Sequence, residues 1–173
     1  FRSLRAEGAT LVPAKAIESE AGIRLLNRLG VPLPESLREL TEILPLHLHL
    51  HFDVASPDTA YKPIDRLTIR ASARTASNQS VDAFKQQMWI QPKGRPAKTT
   101  RITLYNRDQI LNPVSVLHPL GARWDDSVDG FTMRITRGFP EVFATWYRAL
   151  APSVVVDLPD LLKTILVDPV QAQ

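Results

Sequence analysis

No cysteine occurs among the 173 residues, which excludes disulfides, zinc–thiolate sites, iron–sulfur clusters and cysteine nucleophiles. Long apolar runs are missing as well. No stretch reaches the roughly 18 residues a membrane-spanning helix needs. The most apolar windows, Ile43–Phe52 and Leu158–Val170, are interrupted by His, Pro, Lys or Asp. Residues 1–30 lack the order of basic region, apolar run and small-residue cleavage site that marks a signal peptide. Glycine is scarce, at 7 residues, and neither Gly-x-Ser-x-Gly nor a Gly-rich phosphate loop is present. These absences predict a soluble, cytosolic protein without a hydrolase signature and without a cofactor. Phe rather than Met at position 1 predicts a chain processed, trimmed or cut from something longer.

What is present suits a folded core. The chain is 44% apolar and 23% charged, with 14 Pro, enough for one domain of ordinary size or two small ones. Lys and Arg number 21 against 18 acids, a net charge of +3. The excess is unevenly placed. From Arg66 to Arg107 the bases are Arg66, Arg70, Arg74, Lys85, Lys93, Arg95, Lys98, Arg101 and Arg107, against Asp82 alone. From Asp108 onward the balance turns slightly acidic. A basic middle points either to an anionic partner or to a solvated face.

Residues 14–29 read as one helix, with Ile17, Ala21, Leu25 and Leu29 in a stripe and Gly30 as its stop. A second helix is expected from Glu35 to Leu44, inward at Leu37, Leu40 and Leu44 and ended by Pro45. The period then changes from 3.6 to 2. From Leu46 to Asp53 leucine or phenylalanine alternates with His47, His49, His51 and Asp53, a half-buried strand. After a loop containing Pro57, Asp58 and Pro63, Arg66–Arg74 alternates again, with Leu67, Ile69, Ala71 and Ala73 opposite Arg66, Thr68, Arg70, Ser72 and Arg74. The two strands should pair antiparallel over one core. Residues 75–81 read as a loop, and Phe84–Ile90 fits strand or helix equally. Gln91–Lys98 is a Pro/Gly/basic connector and the expected domain boundary.

Beyond it, Thr100–Tyr105 is expected as a strand, Asp108–Val116 as a helix broken by Pro113, and Phe131–Thr136 as a strand after the Asp129-Gly130 turn. Pro140–Leu150 should be a helix packing through Val142, Phe143, Trp146, Tyr147 and Leu150. Ser153–Leu158 should be a buried strand, and Asp160–Val167 a closing helix. The expected fold is therefore α+β. A helical lead-in spans residues 1–45, a small antiparallel, barrel-like β domain 46–92, and a ferredoxin-like α/β sandwich 99–170.

Three constellations carry candidate chemistry. His47, His49 and His51 share one strand face at roughly 6.5–7 Å spacing, so two of them, with Asp53, Asp58 or Asp65, form a metal alternative, while three along one strand span too far for one ion. Arg66, Arg70 and Arg74, beside the histidines in a hairpin, make one face suited to phosphate, with Thr68 and Ser72 adding hydroxyls. Trp89, near Lys85 and Lys93, is placed to stack a base. Trp124, Phe131, Phe139, Phe143, Trp146 and Tyr147 read as core, and Asp125-Asp126 and His118-Pro119 as structural.

The stretch Thr100-Arg101-Ile102-Thr103-Leu104, then His118-Pro119, Asp129-Gly130-Phe131-Thr132-Met133, Phe139-Pro140-Glu141-Val142, Trp146-Tyr147-Arg148-Ala149-Leu150 and Ala151–Leu162 resembles the C-terminal extension that follows the WYL domain in WYL-type bacterial transcriptional regulators. About 70 of the 173 residues are covered. Ala151 replaces the family's usual Gly, and Met88-Trp89-Ile90 is the nearest match to its Trp-Tyr-Leu signature. The resemblance implies that residues 46–90 form a diverged, SH3-like barrel binding nucleotide or nucleic acid, and that the extension supports ligand sensing and dimerisation.

The expectation is thus a non-catalytic, ligand-sensing and dimerising part of a regulator. Arg66, Arg70, Arg74, His47, His49, His51, Trp89, Lys93 and Arg95 would bind nucleotide or single-stranded nucleic acid. Partners are nucleic acid or nucleotide and a second copy or larger assembly, with no membrane. Alternatively, the protein is a non-catalytic subunit of a ribonucleoprotein or other large assembly, whose Lys93–Arg101 connector tracks a phosphate backbone; a metal-dependent enzyme using His47 and His49 comes third.

Overall fold

Alternation of polar and apolar residues produces long paired strands at the centre of the protein. The computed structural model describes residues 13–54, 66–91, 102–108 and 110–167. Strand β1, Thr41–Val54, pairs antiparallel with β2, Arg66–Thr75, in unbroken register from Leu46↔Thr75 to Val54↔Leu67. Both strands are longer than the sequence suggests. Glu35–Leu44 is helical only over α3, Glu35–Arg38, and Pro45 lies inside β1 just before the first β2 pair.

Two compact units divide the chain, Phe1–Leu44 with Pro96–Asn106 and Pro45–Arg95 with Arg107–Gln173. In the first, α1 (Ala14–Ile17), α2 (Glu20–Arg28) and α3 accompany β5 (Ile102–Asn106). The expected single helix over 14–29 is broken at Ser19. Its hydroxyl donates to the Ala16 carbonyl and accepts from the Gly22 N–H, so a new helix starts with its own phase. The buried set is accordingly Ile23, Leu33, Leu37 and Leu104, while Leu25 and Leu29 of the expected stripe are 50% and 59% exposed.

In the second unit β2 has two neighbours on one edge. Its first half pairs with β7, Gly130–Arg134, from Arg66↔Arg134 to Ile69↔Phe131, and its second half with β3, Ser80–Lys85, across a bulge. β4, Met88–Ile90, hairpins onto β3, and β6, Arg123–Asp125, onto β7. β8, Val154–Asp157, lies parallel on β1 from Leu48↔Val154 to His51↔Asp157. The result is α+β, with a curled, mainly antiparallel sheet resembling half a barrel. Strands expected in two separate domains, 46–92 and 99–170, therefore share one sheet. The order strand–helix–strand–strand–helix–strand over 102–157 is present, but a ferredoxin-like sandwich is not confirmed, because β8 lies on β1 and β7 on β2. The expected boundary at Gln91–Lys98 lies almost wholly outside the described residues.

One face of this sheet is covered by α4 (Pro113–Leu117), the 3-10 turn His118–Leu120, α5 (Phe139–Arg148) and α6 (Asp160–Leu166). Leu48, Leu50, Phe52, Leu67, Ile69 and Ala71 meet Leu117, Phe139, Phe143, Trp146 and Leu162 there. The Trp146 indole N–H donates to the Val116 carbonyl at 2.8 Å, so its polar edge is satisfied within the core. Val142 and Tyr147, expected to pack, are 47% and 38% exposed, and Val155 in the expected buried Val run is 47% exposed. Among the described residues no helix is long and apolar enough to cross a membrane.

Candidate anion-binding face

The strand parity that buries the leucines turns every histidine and arginine of β1 and β2 to the other side of the sheet. Register places His47 opposite Arg74, His49 opposite Ser72, His51 opposite Arg70 and Asp53 opposite Thr68. β8 adds Val155 beside His49 and Asp157 beside His51. The hairpin face expected from the sequence therefore exists, and its charges are already partly paired.

His51 bridges two carboxylates. Its Nδ1 lies 2.7 Å from Asp157 Oδ2 and its Nε2 3.0 Å from Asp53 Oδ1. Asp53 also accepts from Arg70 Nη1 at 2.7 Å. All four side chains are at least 42% exposed, so each pair contributes about 0–1 kcal/mol and the chief effect is to orient the groups. Arg74 differs: it donates to Ser72 Oγ and Asn78 Oδ1, both neutral, and forms no ion pair among the described residues.

His49, like Thr68, is buried on this face; it is 7% exposed, and its Nδ1 is unpartnered among the described residues. Burial holds its imidazole below the ordinary value, Arg74 and His51 push the same way, and Asp157 opposes them. The unfolded chain protonates this ring near its ordinary 6.5, the folded chain only at lower pH. The neutral ring's share of stability is thus complete above pH 6.5 and is lost as pH falls through the folded-state value. Denaturant midpoints measured from about pH 7.5 to 5 should fall less steeply in His49→Gln than in the wild type. Parallel profiles would remove His49 from the acid response.

Among the described residues, no three His, Asp or Glu side chains cluster to hold a metal ion. Asp58 and Asp65 lie outside the described residues, as do Lys93 and Arg95 and the rest of the Lys93–Arg101 connector. Trp89 is half-buried and packs edge-on against Phe84 at 5.2 Å, joining the margin of the core. Asp125 and Asp126 act locally: Asp125 accepts from the Ser127 N–H and hydroxyl, and Asp126 from the Trp124 indole.

Arg66 stands apart from the histidines. It faces Arg134 across the β2–β7 ladder, and Thr132 on the same strand faces Arg123 of β6. These three arginines line a cleft of about 490 Å³ at the end of the sheet. Neither Arg123 nor Arg134 stands out in the sequence as a site residue. Arg134 lies in an alternating stretch that reads as a strand, but only the long-range pairing of β7 with β2 brings it to Arg66. No family model, curated protein or solved structure matches this chain.

Proposed function

We propose that the outer face of the sheet binds a nucleotide or single-stranded nucleic acid without catalysing its conversion, as the ligand-sensing and dimerising part of a regulator. The observation supporting this is the gathering of Arg74, Arg70, Arg66, Arg134 and Arg123 on one face, where strand parity and register align them. Guanidinium forks spaced along a sheet match successive phosphates, and the part-exposed Ser72 adds a hydroxyl between them, while Thr68 is buried. Regulator identity rests on the WYL-type resemblance. The finer fold descriptions, a diverged WYL-like barrel and a ferredoxin-like C-terminal half, belong to the same proposal.

Charge pairing makes the proposal specific. Arg70 is engaged by Asp53, so Arg74→Ala should weaken binding of a short single-stranded oligonucleotide more than Arg70→Ala, by about threefold to tenfold. Asp53→Asn frees Arg70 and should tighten binding by a similar factor. Fluorescence anisotropy at two salt concentrations reads both effects, with affinity falling as salt rises. No binding at low salt would overturn the proposal. Full retention of binding in Arg70→Ala/Arg74→Ala would move the contact away from this face.

A further inference from the structure

The cleft at the Arg66 end of the sheet differs from the rest of the face in three ways. Its charges are uncompensated: Arg66, Arg123 and Arg134 form no ion pair within the described residues, and no carboxylate lines the walls. Asp125 and Arg66 feel each other's charge, but the Asp125 carboxylate is already held by Ser127. Its lining also holds apolar groups, the largely buried Leu120, Met133 and Phe139 and the exposed Val142. Finally, Phe139 and Val142 belong to the first turn of α5; the Phe139 N–H donates to the Thr136 carbonyl and Pro140 carries none, so this ten-residue helix contributes chiefly the positive end of its dipole to the cleft. Glu141 of the same turn is exposed and does not line the cleft.

Three guanidinium groups and a helix N-terminus around one small space match a dianion better than the single charge of an internal phosphodiester. The apolar part of the lining then requires that the anion carry a body with a hydrophobic or aromatic side. A volume of about 490 Å³ admits a molecule of one nucleotide's size, in the range of ordinary ligand pockets, and not a folded chain.

We infer that this cleft binds a terminal phosphate monoester on a nucleoside, with the phosphate on Arg66, Arg123 and Arg134 and the base or sugar against Leu120, Met133, Phe139 and Val142. The inference deepens the reading of the outer face and rests on it for the nucleoside body. Two sources supply this chemistry, a free nucleoside monophosphate and the phosphorylated end of a strand.

The test titrates adenosine 5′-monophosphate, and one oligonucleotide with and without a 5′-phosphate, into the wild type and into Arg123→Ala/Arg134→Ala, with thermal melts checking that the variant is folded. The monophosphate should bind the wild type and lose about tenfold or more in the double variant. Arg148→Ala, an exposed residue outside the cleft, should bind as the wild type does. Preference for the 5′-phosphorylated strand, abolished in the double variant, identifies a strand end as the source; monophosphate binding without that preference identifies the free nucleotide. Either result supports the cleft. Equal binding of both oligonucleotides together with no monophosphate binding overturns the cleft and leaves the outer-face proposal standing. Monophosphate binding that is lost in Arg123→Ala/Arg134→Ala, with neither oligonucleotide binding, sustains the cleft and removes the strand-binding part of the outer-face proposal.

Discussion

Phe143→Ala should cost about 3–5 kcal/mol of folding free energy, a large part of the 5–15 kcal/mol typical of a domain. The ring is fully buried. It meets Phe52 edge-on at 5.9 Å, and Phe139 and Trp146 at 5.2 and 5.5 Å, so it ties α5 to the apolar face of β1. Truncation removes those contacts and leaves a cavity that a paired sheet cannot collapse to fill. Since that variant sits near the unfolding threshold, Phe143→Leu gives the measurable companion, at about 1–1.5 kcal/mol by urea titration. A loss below about 1 kcal/mol for the alanine variant would mean that α5 does not pack on β1 as described.

Half of this architecture is written locally in the chain. From Leu46 to Asp53 each polar residue had to face away from an apolar layer, and strict alternation reveals that without any partner being known. The same holds for Arg66–Arg74, which is why the polar face of the hairpin was legible. Local signals fail where the partner is distant. Ser153–Leu158 reads as a buried run, yet among the described strands β8 pairs with β1 alone and leaves Val155 half-exposed beside His49. The β3–β4 hairpin turns at Gln86 and Gln87, with φ of 48° and 58°, conformations that Asn or Gly usually advertise. The helical stripe from Ile17 fails because one hydroxyl, Ser19, restarts the helix. The cleft arginines come from three strands, and no spacing in the sequence unites Arg66 with Arg123 and Arg134.

Arg107→Met should be the most damaging change of charge among the described residues, at about 3–5 kcal/mol near neutral pH. Asp82 is 2% exposed and is held by Arg107 through Nε at 2.9 Å and Nη2 at 3.3 Å. Without the guanidinium, a carboxylate is left in the interior with its desolvation uncompensated. The partners are not equivalent, because the Arg107 side chain is 34% exposed and that of Asp82 only 3%. In Asp82→Ala the arginine can turn to water, so the loss should be smaller, about 1–3 kcal/mol. The double variant supplies the decisive control. Arg107→Met/Asp82→Ala removes the buried charge together with its partner, so it should lose less than the sum of the two single variants. Urea titrations of both single variants and the double variant read the difference. Equal losses for the two single variants, adding up in the double variant, would show that packing of the two side chains, not charge, holds this end of the sheet.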